Sequence, residues 1–391
     1  MYKFRWILLL FATTAFWACT KTEDKPTVTG VHVFNEVLDA AHPTSDGGFI
    51  YSSHQGNLHF ISKLDKNGQR EWSRMLQPFQ QDYNFELASF RQVSNGEYLV
   101  SATAIVDNIY NRIRAYLIRM DAGGNFLWVK QIDSLWTAGS LTLDDAIQGK
   151  NGKYYVSGIK KDLHNSNSFL ITVDIPGNTI RKDITNYNYT NSFLYEAKDT
   201  SLWICGKYTT QPLNFLLKYY HGAEQGFYIL NVLGKDRFVP DMLEEQDGGI
   251  CIGGNSDFTA SKTDFFIQKV SSSGSIEFTE AKTQTNNNYC SSVIRSVDGG
   301  YLFAGTSSGD STANGETVPT LSVNTKMILM KLDAGRNIKW SYVYGGNYGS
   351  EGIAVSQTND GILIIGNQVN PGNLNSANMI AIKTKNNGQV Y

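Results

Sequence analysis

Charge, proline and cysteine are all scarce in this chain of 391 residues, and no long apolar run follows residue 18. Only 18% of residues are charged, against the ~25% of an average soluble domain, and the formal net charge is −2. Setting aside the basic start at Lys3 and Arg5 leaves 32 bases against 36 acids, so nothing draws the chain toward nucleic acid or an anionic lipid surface. Eight prolines are too few for a proline-rich linker. Cys205, Cys251 and Cys290 fall in separate strand-like runs, with no CxxC pair and no Cys/His cluster. That spacing excludes a disulfide framework or a zinc knuckle, and buried free thiols are expected instead. The six histidines (His32, His42, His54, His59, His164, His221) form no HExxH, no GxxxxGK loop occurs, and Asp310 to Gly315 is only a fragment of a calcium loop. No metal or other cofactor is therefore implied.

What the chain does have is glycine (36), aromatics (12%) and enough hydrophobic residues (41%) for a large packed core. Glycine-rich turns punctuate short alternating runs, and nothing is long enough or helically spaced enough to be a helix. From residue 38 onward the same sentence is written seven times: Leu38 to Leu76, Leu87 to Asp133, Asp144 to Thr185, Phe193 to Leu230, Val239 to Lys282, Cys290 to Gly345, and Glu351 to Tyr391. Each unit opens with a hairpin turn, such as Asp46-Gly47-Gly48, Asn95-Gly96 or Asp298-Gly299-Gly300, where two residues of positive φ are expected; the fourth unit has Asp199-Thr200 and lacks glycine. Seven residues on stands a column of small side chains, Ser53, Ala102, Gly158, Gly206, Gly254, Gly305 and Gly366, predicting a close backbone approach between neighbouring sheets or at a strand crossing.

The third run of each unit ends in a base (Lys63, Arg119, Lys218, Lys269, Lys331, Lys383), with Thr172 the exception, which reads as a solvated, snorkelling edge. A second turn then begins with aspartate (Asp65, Asp121, Asp174, Asp333), whose carboxylate can accept turn N–H groups. Seven residues later a ring recurs, Trp72, Trp128 and Trp340, with Phe227 and Phe278 at matching sites, as a packing anchor between sheets. The seventh unit stops before its own ring position, and Val31 to Glu36 is a strand-like run left over at the other end. Pairing the two closes a ring and covers an open edge. The expected fold is an all-β, seven-bladed β-propeller of four-stranded antiparallel blades, occupying residues 30–391 as one domain and acting as a monomer.

The repeat Asp-x-x-Gly-x-x-x-Trp, with Asp-Gly-Gly-Tyr, resembles the repeats of bacterial surface and secreted propellers and, more loosely, PQQ-like repeats. Residues 1–18 resemble a bacterial lipoprotein signal peptide: a basic start, an apolar run from Trp6 to Phe16 too short to span a bilayer, then Ala18-Cys19. The resemblance implies acylation of Cys19, a flexible tether over 19–29, and an outer-membrane lipoprotein of the bacterial cell envelope, periplasmic or surface-facing, whose only membrane contact is the lipid anchor. An ordinary signal peptide cut nearby and an N-terminal anchor helix remain open.

Four-stranded units put tight turns on one face and the longer second-to-third and fourth-to-first connections on the other, and variable loops are where binding residues belong. On that long-loop face Trp136, Tyr187, Tyr189, Tyr289 and Tyr348 can stack on sugars or anchor a protein, or else tuck inward and seal the ring. Asp144, Asp145, Asp241 and Glu351, at the starts of innermost strands, are placed to ring the mouth of the central channel. Gly305-Thr-Ser307-Ser-Gly309 matches GxSxG but precedes a polar loop instead of a helix, so it makes no nucleophile elbow. The pattern favours a non-catalytic protein- or glycan-binding scaffold; the alternative is a glycan lyase or hydrolase using the four carboxylates as acid and base.

Overall fold

The computed structural model describes residues 30–391 except 77–83, 108–111, 133–139, 162–165, 175–178, 185–188, 209–213, 221–222, 231–236, 260–261, 283, 285, 309–320 and 323. Seven four-stranded antiparallel sheets make an all-β, seven-bladed propeller. The innermost strands of blades 1 to 7 are Val37–Pro43, Asn84–Gln92, Ser140–Gln148, Tyr189–Glu196, Arg237–Glu244, Asn287–Arg295 and Ser350–Thr358. Seven apolar clusters fill the seven seams between consecutive blades. The last of them joins Leu38, Phe49 and Tyr51 of blade 1 to Ala354, Leu363 and Ile365 of blade 7. Each seam buries side chains that one sheet alone would leave wet, at roughly 1.5–3 kcal/mol per large residue, so the ring stabilises itself only when complete. The three cysteines Cys205, Cys251 and Cys290 sit in these seams as free, buried thiols.

The ring closes as the leftover strand suggests. Val31–Phe34 pairs antiparallel with the third strand of blade 7, Val31 opposite Ile382 and Phe34 opposite Met379. The outer strand of that blade is assembled from both ends of the described chain. Lys383 donates its N–H to Gly30 O at 2.7 Å and accepts from Tyr391 N at 3.4 Å. Gly30 faces Lys383 where blades 1, 2, 5 and 6 set Trp72, Trp128, Phe278 and Trp340 opposite the matching base, and a Cβ there would lie 2.7 Å from Val390 Cγ1.

Several local expectations are corrected. The Asn95-Gly96 turn takes the two positive φ values expected, 65° and 74°, but most first hairpins need only one left-handed residue: Gly47 N donates to Thr44 O, Thr44 N to Gly48 O, and only Gly47 of that turn has positive φ (85°). This is a type I turn with a bulge, and Thr200, at φ 67°, carries the same strain without glycine. The small-residue column reflects a close approach chiefly within one sheet, with an approach between neighbouring sheets at blade 6, where a Cβ on Gly352 would lie 2.6 Å from Gly305 O. Every innermost strand slips register next to it, as between Leu143 and Asp145. A Cβ on Gly158, Gly305 or Gly366 would then meet the facing carbonyl of Thr142, Tyr289 or Glu351 at 2.2, 1.9 or 1.8 Å.

The basic column is no solvated edge. Lys63, Lys331 and Lys383 have side chains only 3% exposed, and each reaches back to the first-turn carboxylate of its own blade: Asp46 at 2.7 Å, Asp298, and Asp360 at 3.5 Å. Arg119 does the same to Glu97 at 2.6 Å. Blade 3 lacks both partners, with Asn151 in the turn and Thr172 on the strand. The ring column acts as expected in blade 1, where Trp72 packs edge-on to Tyr98 of the next blade at 5.6 Å and donates Nε1–H to Ala122 O at 2.9 Å, but in blade 4 Phe227 stands opposite Leu217 and Tyr228 makes the matching contact, its hydroxyl donating to Ser273 O at 3.2 Å.

Candidate functional site

The bulges place the innermost carboxylates. A bulge leaves backbone N–H groups of the innermost strand without partners in its own sheet. The residue after it turns its side chain to the next blade and takes one of them. Ser89 Oγ accepts from Ala146 N at 3.0 Å, Asp145 Oδ2 from Leu194 N at 2.9 Å, and Asp241 Oδ2 from Val293 N at 2.9 Å. Asp145 is fully buried and also takes both carboxylate contacts from Arg91 Nη2, at 2.7 and 2.5 Å. Burial pushes the Asp241 carboxyl up, against hydrogen bonds from Val293 N and Ser292 and the charge of Arg91. His42, beside the same Arg91, is pushed down to about 4 by burial and by that guanidinium, with Asp145 opposing.

A second device uses asparagine. Asn367 of blade 7 accepts from Leu38 N at 2.8 Å and donates to Leu38 O at 2.9 Å, while its Nδ2 also reaches Glu351 Oε1 at 2.8 Å. Asn255 holds Cys290 of blade 6 in the same way, accepting from its N–H and donating to its carbonyl at 3.4 Å. Both asparagines follow the column glycine, as Gly254-Asn255 and Gly366-Asn367. That repeated Gly-Asn dipeptide is the mark this device leaves in the sequence.

The predicted site residues are thus scattered through several environments. Asp144 is the half-buried extra residue of its bulge, and Asp145, Asp241 and Glu351 face three different hydrogen-bonding partners instead of one another. Tyr289 is buried within its strand, following the inward-tucking alternative. Tyr348 is exposed on the long-loop face. Tyr189 starts the innermost strand of blade 4, with its side chain outside the described residues; Trp136, Tyr187 and Cys19 lie outside them altogether. The expected long loops of that face are in part extended hairpins, since Asn370 pairs with Asn373 across a two-residue turn where Gln368 to Asn378 reads as a loop. Unforeseen there is His54, whose Nδ1 lies 2.6 Å from Asp39 Oδ1, with the His59 ring 5.9 Å away. Among the described residues no group of three or more His, Cys, Asp or Glu could hold a metal ion.

No family model and no curated protein matches the sequence. Solved structures do match the fold. A puromycin hydrolase mutant complexed with PGG is 11% identical at a TM-score of 0.57 over 91% of this chain and 53% of its own, so this chain spans about half of that enzyme. The polysaccharide lyase Uly1 is 9% identical at a TM-score of 0.51, over 90% of each chain. At such identities the likeness is one of architecture.

Proposed function

We propose that this protein is a binding or scaffolding propeller of the bacterial envelope, tethered by an acylated Cys19 and engaging a glycan or protein through its long-loop face. The observation that carries this reading is where Gly30, the first described residue, lies. Gly30 and Tyr391 meet at Lys383, beside the tight turn closed by Lys385 and Gln389, so the tether leaves from the tight-turn face. Residues 19–29 reach at most about 35–40 Å. The anchored domain then keeps its paired Asp/Lys turns toward the lipid and turns its longer connections away from it. A catalytic role for the innermost carboxylates is less well supported, because Asp145 and Asp241 are engaged in holding blades together.

Two measurements test the reading. Metabolic labelling with an alkynyl fatty acid should mark the full chain and not Cys19→Ala; an unlabelled wild-type chain would contradict the tether. Because Cys205, Cys251 and Cys290 are buried, a dye on Val297→Cys or Leu374→Cys reports one face each. In proteoliposomes, energy transfer to a headgroup acceptor should be stronger from Val297→Cys, on the tight-turn face, and the reverse order would overturn the orientation.

A further inference from the structure

The connection from blade 6 to blade 7, residues 345–349, is fixed far more firmly than a surface loop requires. Gly345 and Gly346 take φ of 116° and 56°, and a Cβ on Gly345 would lie 2.0 Å from Ser350 Oγ. Lys326 Nζ donates to Gly346 O at 2.8 Å and to Tyr348 O at 3.0 Å. Gln368 Nε2 donates to Gly345 O at 3.1 Å, and Val369 N to Gly349 O at 2.8 Å. Ser350 Oγ ties the same loop to Tyr344 O at 2.8 Å and to Met327 N at 2.9 Å. Strands on both sides therefore clamp the backbone of Tyr348, while 39% of the residue stays exposed. A ring held this way loses little freedom when a ligand settles on it.

The neighbourhood narrows the ligand. Val369 leads directly into the hairpin tip, where Gly372 N is capped by Asn370 Oδ1 at 2.9 Å and Leu374 is exposed. Residues 344–350 (YGGNYGS) and 368–376 (QVNPGNLNS) contain no acid or base and three asparagines besides Asn347. Lys326 has two carbonyl acceptors of its own. An exposed planar ring on segments whose polar side chains are uncharged amides and hydroxyls matches the amphipathic face of a sugar, its C–H groups on the ring and its hydroxyls on the amides. A folded protein partner would call for a wider apolar centre than Tyr348 and Leu374 supply.

We propose that Tyr348, presented by the Lys326-clamped loop, is the stacking platform of a subsite for one ring of a neutral, hydroxyl-rich polysaccharide. This rests on the long-loop-face reading above and adds to it a ligand class and a residue. Calorimetric titration of the full chain in detergent with a β-glucan, an α-mannan, a xylan and a polyuronate tests it. At least one neutral polymer should bind, Tyr348→Ala should weaken that binding about tenfold, and Tyr348→Phe should change it less than about threefold. Thermal midpoints of both variants should match wild type, because the ring is exposed. Binding that survives Tyr348→Ala overturns the platform while leaving the long-loop face in play through other residues. Binding of the polyuronate alone overturns the neutral class. Failure of all four polymers overturns the subsite, and the face would then be sought as a protein-docking surface by cross-linking.

Discussion

Asn367 and Leu38 stand 329 positions apart, yet the amide of one meets both backbone groups of the other, at 2.8 and 2.9 Å. This bond pair lies at the seam where blade 7 meets blade 1, so it helps to turn an open row of sheets into a ring. Replacing Asn367 by Ala leaves an N–H and a C=O buried without partners and should lower unfolding free energy by about 2–4 kcal/mol, read by urea denaturation. Asn255→Ala, facing Cys290, should cost a similar amount. A loss below about 0.5 kcal/mol at both sites would mean that water replaces the amide and that the device is incidental.

Asp145, buried, and Asp241, half-buried, should respond in opposite directions to one substitution. Asp145→Asn strips Arg91 of its charge partner and should destabilise by about 2–3 kcal/mol. Asp241→Asn keeps an oxygen for Val293 N and removes a carboxyl whose ionisation burial disfavours. A raised folded pKa means stability is fullest below the ordinary carboxylate range and falls as pH rises through the shifted value. At pH 7 Asp241→Asn should therefore leave the thermal midpoint unchanged or raised. A drop as large as that of Asp145→Asn would show that the charge of Asp241 is needed.

How much of this was readable beforehand depends on the range of the interaction. Turn residues such as Asp65 and Gly68 act within five positions, so blade number, strand order and the completing role of Val31 to Phe34 could be counted from the chain. The fate of Lys331 could not, because a base at a strand end looks the same whether solvated or folded back on a turn 33 residues earlier. The joint absence of acid and base in blade 3, at Asn151 and Thr172, was the clue available. The carboxylates misled for a related reason: a bulge is not visible in the pattern of apolar residues, and it decides whether Asp145 faces the channel or the next blade.

Lys331 and Asp298 give the clearest test of how a buried lysine depends on its half-exposed turn carboxylate. Although burial pushes the Asp298 carboxyl up, its bonds to Lys331, Gly300 N and Ser296 outweigh this and bring it to about 2. Asp298→Asn keeps a turn acceptor but leaves the buried ammonium uncompensated, and should cost about 2 kcal/mol at pH 7. Lys331→Met should cost less, and the double variant should resemble Lys331→Met alone. Equal and additive losses would indicate two independent surface charges.

Acid should weaken the protein in two windows. His42 is held down to about 4, so it is neutral when folded and takes up a proton on unfolding from about pH 6.5 downward. Its contribution is full above 6.5 and is lost as pH falls toward 4, on the order of 2 kcal/mol after allowing for partial exposure. Asp298 adds a second loss below about pH 4, as its depressed carboxyl begins to be protonated. Equilibrium unfolding between pH 7 and 4 should show a slope that His42→Gln flattens; an unchanged slope would place the titration elsewhere.

The most direct test of the central claim is to incubate the full chain with the neutral polysaccharide panel, following binding by calorimetry and polymer length by size-exclusion chromatography in the same samples. The account predicts saturable binding, weakened by Tyr348→Ala, with no shortening of any polymer. Progressive depolymerisation, abolished by a substitution among Asp144, Asp145, Asp241 or Glu351, would contradict it.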